Sequence, residues 1–546
     1  MSFLKSPFLL EIASWLAFLV VGGLFIKSDY RQHSSRRQQL RLLFSLLGLL
    51  FLRRFLILLV NRELNPDESQ LLSQAITLRH HPVYWKYVDG ATMGPLSCYY
   101  VAIPGYFGIP LNYMVLRWLA FFCMSVSLIS GYFTIENFFG ARTARLALLP
   151  GVAFLAFTTN LDFLHGTNEQ LSLALIGLAL WQYSRLWRQN YFDSPLNLFL
   201  LSFISSLVPF AKLQGTPTAL IIVIAALIGL LRKYVSMPKL LFRRALTGLI
   251  LGGIFFPVLV VILVNIFGVF DDFVHFYIEG NLAYSSGASF QYYLSQFPLF
   301  VWRTTDFFVF LLPTVALGLS WLLLSRQAAE KIGLLIFILA LIVASGYAII
   351  KPGSEFTHYL LYLVIPICLL NAWLLDRFRA PVHTAFWVVF ILLSIGVSKI
   401  VQAIPAEKNP LVVYQNHQMR QFYVSPPAAK ALEFSRPGED LVVWGWAPQY
   451  NVETQMAQGV CDNHTIRCVM GSDQTIHRAR YMRNIQASRP PVFMDAVGPT
   501  STWLNDRSIY GYEMFPELKN YIDTHYRFVG EFDHIRVFAR LDRYKP

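Results

Sequence analysis

Residues 245–267 read ALTGLILGGIFFPVLVVILVNIF, an apolar run without a formal charge. Its length meets the roughly 20 residues that a helix needs to cross a bilayer. Eleven further apolar runs fall at about 8–26, 42–60, 114–135, 144–160, 170–187, 196–211, 216–231, 299–324, 332–350, 358–375 and 381–402. Of the 546 residues, 55% are apolar and only 14% charged, against roughly 25% charged in ordinary globular chains. So few charges cannot cover a water-facing surface. Disorder, collagen-like repeats and a disulfide-stapled miniprotein are excluded by the same numbers. The pattern predicts an α-helical polytopic membrane protein of about 12 spans (range 11–13), followed by a small α/β soluble domain. The first run reads as a retained span, because it is too long for a signal-peptide core and lacks a small-residue cleavage site.

The net charge of +13 invites a nucleic-acid partner, but its distribution argues against one. Residues 405–546 hold 16 Lys+Arg and 15 Asp+Glu, so nearly all the excess lies among the apolar runs. The connections 27–41, 136–145, 185–195, 232–244, 325–331 and 376–380 carry 18 basic residues in 61 positions. The alternate segments 1–7, 61–113, 161–169, 212–215, 268–298 and 351–358 carry 6 in 112. The positive-inside rule places the first set in the cytoplasm and the second outside.

The expected organisation is a membrane domain over 1–404 and an outward-facing soluble α/β domain over 405–546. Two outward loops are long, 61–113 and 268–298. The first reads as a polar helix from about 66 to 80, then an apolar stretch 95–110, broken by prolines and glycines and taken as interfacial or re-entrant. In the tail, Leu441–Trp446 and Pro491–Asp495 read as buried strands. Phe528–Phe532 and Ile535–Leu541 read as a hairpin around Asp533 and His534, with helices at 426–435 and 474–487. Cys98, Cys123 and Cys368 read as buried thiols. Cys461 and Cys468 could pair as a disulfide in an oxidising compartment; the spacing of Cys461, His464 and Cys468 matches no zinc pattern.

Chemistry concentrates in the outward loops. Asn65-Pro66-Asp67-Glu68-Ser69-Gln70 follows the second run. Asn65 suits an N-cap, Pro66 the first helical position, and both acids the positive helix end. A carboxylate at this membrane face can also act as general base on a hydroxyl. A second loop carries Asp162, His165, Asn168 and Glu169; the two loops could bring Asp67 and Glu169 into one cavity, where paired carboxylates can bind an acceptor hydroxyl or hold a cation. Lys212, Lys351 and His358 stand where helices emerge outward, and Arg53 and Arg54 lie inside the second run. Fixed cations there suit a departing lipid phosphate.

These residues resemble the GT-C superfamily of membrane glycosyltransferases, in particular the bacterial branch related to protein O-mannosyltransferases and lipid A aminoarabinose transferase. The resemblance covers most of 42–402. Asp67-Glu68 is similar to the family's acidic motif. Gly94-Pro95-Leu96 with Tyr99-Tyr100 is similar to its Pro-Pro-Leu-Tyr-Tyr segment, and Phe139-Gly140-Ala141-Arg142-Thr143-Ala144 to an inner-loop motif. The second-loop acid falls at Glu169, the Lys-Gly segment at Lys212, and an aromatic-Leu-Pro run at His358-Tyr359-Leu360 with Pro366. Thr92-Met93 departs from the Glu-Lys of the aminoarabinose branch, so the phosphate or metal role of that pair is not carried over.

The resemblance implies transfer, with inversion, of a hexosyl or pentosyl group from a polyprenyl-phosphate donor to a hydroxyl acceptor. That acceptor would be a glycolipid, a polysaccharide or a protein, at the outer face of a bacterial inner membrane. Asp67 and Glu68 would then be catalytic, Glu169 and Asp162 acceptor-orienting, and Lys212, Lys351, His358, Arg53 and Arg54 phosphate-binding. No cofactor is required by the sequence, and the need for a divalent metal is left open. Membrane lipids and the lipid-linked sugar are the expected partners, and nucleic acid is not. A lipid or sugar transporter without transferase chemistry is the alternative; it calls for matching halves, and no internal repeat is present.

Overall fold

The computed structural model describes residues 7–30, 35–283, 289–324, 331–378, 380–402, 417–436, 438–471, 473–501 and 503–544. The expected domain boundary at 404/405 lies outside them. Eleven helices cover the first half: α1 (Pro7–Tyr30), α2 (Arg36–Leu58), α3 (Pro66–His80), α4 (Pro95–Tyr106), α5 (Tyr113–Phe139), α6 (Ala141–Phe157), α7 (Leu161–Leu164), α8 (Glu169–Gln189), α9 (Pro195–Ala211), α10 (Thr216–Lys233) and α11 (Lys239–Ile266). Further helices span Phe290–Arg303, Thr305–Leu324, Ile332–Ile350, Val364–Leu375 and Pro381–Gln402.

Every one of the twelve apolar runs falls on helix. Among the described residues, eight helices are long and apolar enough to cross a membrane by length and composition, so the chain is an integral membrane protein. The other four runs are α2, α6, α8 and α9. Helix α2 carries buried Arg53 and Arg54, while α6 and α9 have only 17 residues each. The run 299–324 is interrupted at Thr304. The first turn of the new helix holds Asp306, whose Oδ2 accepts from Thr158 Oγ1 (2.6 Å) and Thr159 N (3.2 Å) and so ties it to the end of α6.

The run 245–267 becomes α11, packed along α9. Gly248 and Gly252 sit four residues apart on one face. A Cβ on them would meet the carbonyl oxygens of Pro195 and Phe199 at 2.3 and 2.2 Å. Small residues at this spacing let two membrane helices approach closely. Helix α4, the apolar stretch of loop 61–113, has 12 residues, about 18 Å at 1.5 Å per residue. It cannot cross a hydrocarbon core of roughly 30 Å.

The basic connections gather at one end of the bundle. Arg142 pairs with Asp29 (2.6 Å) and donates to the carbonyl of Phe378 (3.0 Å). Lys331 pairs with Asp376 (3.2 Å), Lys233 with Asp193 (3.5 Å), and Arg188 donates to Asn137 (3.1 Å). The acid-bearing loops gather at the other end, together with the tail.

The tail forms a five-stranded mixed sheet in the order β2-β1-β3-β5-β4, with β1 (Asp440–Trp444), β2 (Ala457–Gln458), β3 (Val492–Asp495), β4 (Tyr526–Phe532) and β5 (Ile535–Arg540). Strands β1, β2 and β3 are parallel, and β5 is antiparallel to both β3 and β4. Asp533 and His534 both have positive φ (49° and 67°). Two such residues make the tight hairpin turn whose twist matches the strands. The helices expected at 426–435 and 474–487 are Pro426–Phe434 and Gln474–Ser488; β2 and the helix Pro516–His525 were not foreseen. Cys461 and Cys468 are buried free thiols, and the Cys461 Sγ donates to the carbonyl of Lys86 (2.9 Å).

The sheet docks on loop 61–113 through a buried ionic knot. Arg480 bridges Asp89 and Asp462, both at 2.6 Å, with its guanidinium 3.4 Å over the Phe276 ring. Asp89 N also donates to the Cys461 carbonyl (2.9 Å), and Gln458 N to Thr77 Oγ1 (2.9 Å). The tail is therefore held against the loops that carry the acids.

Candidate functional site

Asn65 organises the site. Its side chain caps α3 by accepting from Asp67 N (3.0 Å), and its amide donates to Asp162 Oδ1 (3.0 Å). One residue thus joins the first acid loop to the second. Pro66 occupies the first helical position, where its missing N–H costs nothing. Asp162 is held on its other oxygen by Thr357 Oγ1 (2.5 Å). Burial pushes the Asp162 carboxyl up, but the Thr357 hydrogen bond, His358, His165 and Asn65 outweigh it and hold it below its ordinary range.

His358 stands at the centre. It is buried, with Nε2 3.8 Å from Asp67 Oδ2 and 3.9 Å from Glu169 Oε1, and Nδ1 4.0 Å from Asp162 Oδ2. Its ring meets that of His165 edge-on at 5.4 Å between centroids. Lys212 pairs with Glu169 at 2.8 Å, donates to Asn168 Oδ1 (3.2 Å), and lies 5.4 Å from the Tyr359 ring. Both members of that pair are buried. Asp67, Asp162, Glu169, Lys212 and His358, separated by up to 291 positions in the chain, meet in one place. The tail reaches the same mouth, where Trp503 stacks on Phe356 (6.3 Å, 15°) and Phe356 on His358 (5.7 Å, 17°).

The other expected residues stand elsewhere. Glu68 is fully buried and doubly bonded to Arg117, Nε to Oε1 at 2.8 Å and Nη2 to Oε2 at 2.6 Å. Its two oxygens also accept from Leu64 N (2.9 Å) and Gly166 N (2.8 Å). So completely bonded, the Glu68 carboxylate clasps α3, α5 and the second loop together, while Asp67 is the acid that faces His358. Arg53 and Arg54 donate to the carbonyls of Ala156 (3.2 Å) and Leu155 (3.0 Å), and Arg54 also to Phe163 (2.8 Å). Arg53 is further paired with Glu11. These arginines satisfy the open carbonyls at the end of α6 and, among the described residues, make no ion pair or hydrogen bond with Asp67, Glu169, Lys212 or His358. Lys351 donates to the carbonyl of Leu282 (3.3 Å) and shares no contact with the cluster among the described residues.

Two participants went unassigned in the sequence. Arg117 could have been flagged as the lone cation inside the run 114–135. His165 lies between Asp162 and Glu169 and is now part of the cluster. Its Nδ1 is 3.1 Å from the carbonyl of Leu161, while its Nε2 is buried without a partner.

Asp67, His165 and His358 place three potential ligand atoms within 4.8 Å of one another. An imidazole held through Nδ1 by a carbonyl presents its other nitrogen as a ligand. Two imidazoles and a carboxylate suit a divalent transition ion. Among the described residues this is the one His/Cys/Asp/Glu grouping with that geometry.

Glu63, just before α3, is hydrogen-bonded by Ser69 and surrounded by carboxylates. Burial, with Glu68, Glu453 and Asp67 nearby, pushes its carboxyl up to about 7. The fold then keeps a proton that the unfolded chain has lost above about 4.5. Stability is expected to be undiminished below pH 4.5 and to fall as pH rises to about 7. Glu63→Gln should flatten that fall in thermal-unfolding midpoints measured from pH 5 to 8; an unchanged slope would remove Glu63 as its source.

ArnT from Cupriavidus metallidurans, crystallised bound to undecaprenyl phosphate, superimposes with a TM-score of 0.56 over 92% of this chain and 98% of that one, at 12% identity. The chain shares the fold of this ArnT. An Archaeoglobus fulgidus oligosaccharyltransferase in complex with Zn and sulfate gives 0.42 over 89% and 79% at 12% identity. The archaeal oligosaccharyltransferase AglB, with an inhibitory peptide and a dolichol-phosphate, gives 0.43 over 83% and 69% at 11% identity. Scores this low add no support. No family profile matches the sequence, and no curated protein is significantly similar to it. Within this fold, the Asp67 cluster is the place where the first two acid loops, a late helix and the tail converge.

Proposed function

We propose that the protein is a membrane glycosyltransferase that moves a sugar from a polyprenyl-phosphate donor to a hydroxyl acceptor, with inversion, at the outer face of a bacterial inner membrane. The observation that carries this is the convergence of Asp67, His358 and the Lys212–Glu169 pair at one end of an ArnT-like bundle. Asp67 is the acid with work left to do. Its carboxylate is a quarter exposed and, among the described residues, accepts no hydrogen bond. Chain segments 1–404 and 405–546 act in this reading as a catalytic membrane domain and an outward domain that closes the mouth with Trp503.

Asp67 takes the acceptor's hydroxyl proton as that oxygen bonds to the anomeric carbon. The bond between that carbon and the phosphate oxygen breaks, and polyprenyl phosphate leaves with the electron pair. Lys212 supplies positive charge to the departing phosphate, His358 offers it a hydrogen bond, and Glu169 keeps the Lys212 ammonium in place. Asp162, fixed by Asn65 and Thr357, orients His358. In an alternative arrangement Asp67, His165 and His358 would hold a divalent ion that supplies Lewis-acid charge, and Asp67 would then be a ligand and not the base.

The test is turnover of the purified chain over a panel of polyprenyl-phosphate sugars with glycolipid, glycan and peptide acceptors. Release of polyprenyl phosphate with transfer supports the reading; transport of the intact lipid without transfer would replace it with the flippase alternative. Lys212→Met should lower turnover by about 10²-fold, the cost of one preorganised charge contact. Lys212→Met with Glu169→Gln removes the stranded carboxylate as well. It should regain thermal stability without regaining turnover, whereas recovery of both would make the pair purely structural. Sidedness is checked separately: a reporter fused after Pro546 should be active only when exported, and cytoplasmic fluorescence would invert the topology.

A further inference from the structure

A cavity lined by charged residues lies at the opposite end from Asp67. Helix α8 begins at Glu169, in the Asp67 cluster, and ends at Gln189, on the cavity wall. Its 21 residues put about 30 Å between the two sites at 1.5 Å per residue. Helix α5 makes the same traverse, from Arg117 to Phe133 and Glu136. The cavity measures about 640 Å³ and is walled by Arg36, Arg185 and Arg188, with Phe133 and Trp181 as its apolar side.

Three guanidiniums face one carboxylate there. Arg36 is paired with Glu136 and sits 5.3 Å over the Phe133 ring. Arg188 gives one N–H to Asn137 (3.1 Å). Arg185 gives one to Gln182 (3.2 Å), with its guanidinium 5.7 Å from the Trp181 ring. Each guanidinium has five donors, and among the described residues each makes one hydrogen bond. Donors left over in a walled space with net positive charge are suited to phosphate oxygens, which arginine binds in a bidentate fork.

We propose that this cavity binds the phosphodiester headgroup of an anionic phospholipid, at a site separate from the donor site. Three features favour a lipid headgroup over a free phosphate. The space is far larger than a bare phosphate needs, and one wall is aromatic. It also lies at the bundle end where the basic connections meet and where Trp187 is 39% exposed, the depth at which tryptophans and cations meet headgroups. The bound lipid would bridge the ends of α2, α5 and α8.

The experiment uses the purified full chain, delipidated in detergent and titrated with phosphatidylglycerol or phosphatidylcholine under native mass spectrometry. Phosphatidylglycerol should be retained and phosphatidylcholine should not. Arg185→Gln with Arg188→Gln should weaken phosphatidylglycerol retention at least tenfold. Gln189→Glu, an exposed wall position that leaves the arginines and their partners intact, should also weaken it. Equal retention of the two lipids, or retention unaffected by both variants, would overturn the proposal. A third arm adds inorganic phosphate at millimolar concentration. Failure to displace the lipid supports a headgroup site, while full displacement would assign the cavity to a soluble phosphate instead.

Discussion

Asp67→Asn is expected to leave expression, membrane insertion and thermal unfolding near wild type while lowering turnover by at least about 10²-fold, the lower end for loss of a general base. The substitution is close to isosteric. Asn65 still caps α3 through the backbone N–H of residue 67, a contact that does not involve the Asp67 side chain. Only the free carboxylate disappears. If turnover stays within a few-fold of wild type, the base must be sought at Asp162 or Glu169, and the reading of Asp67 as the open acid fails.

Arg117→Met is expected to be the most destabilising single change at this end of the bundle. Arg117 clasps Glu68 through two charge-assisted hydrogen bonds and also donates to the carbonyls of Val60 and Arg62. Both side chains are essentially inaccessible, at 1% and 0% exposure. Removing one partner of such a pair leaves a buried charge unpaired and costs about 3–5 kcal/mol. The expected result is a strong drop in detergent unfolding midpoint and in folded yield. Arg117→Met with Glu68→Gln should regain part of the loss, since no unpaired charge remains. If Arg117→Met unfolds like wild type, Glu68 is not held by that clasp and its place as a functional acid reopens.

Glu68 and Asp67 show where the sequence stops. Both are acids at the start of one helix, and both suit its positive end. Consecutive helical residues point about 100° apart, since a turn holds 3.6 residues. One acid therefore turns inward to Arg117 on α5 and the other toward His358, and no local pattern says which. The same holds for Arg53 and Arg54. Two cations in an apolar run signal a buried partner. Whether that partner is a ligand phosphate or the carbonyl end of α6 depends on which helix lies alongside.

What the sequence determined by itself was everything set by short-range chemistry: helices from unbroken apolar runs, the polar helix at 66–80 from its Asn-Pro cap, and the hairpin from Asp533-His534. The alternation of basic and acidic connections also told which loops share an end of the bundle, because successive spans reverse direction. The membership of the site was decided only by the tertiary structure. Asp67, Asp162, His165, Glu169, Lys212 and His358 come from four connections. Their meeting depends on helix packing such as the α9–α11 contact at Gly248 and Gly252, and on the Arg480 knot that brings the tail to the mouth. Those contacts join residues far apart in the chain, and periodicity and propensity act only over a few residues.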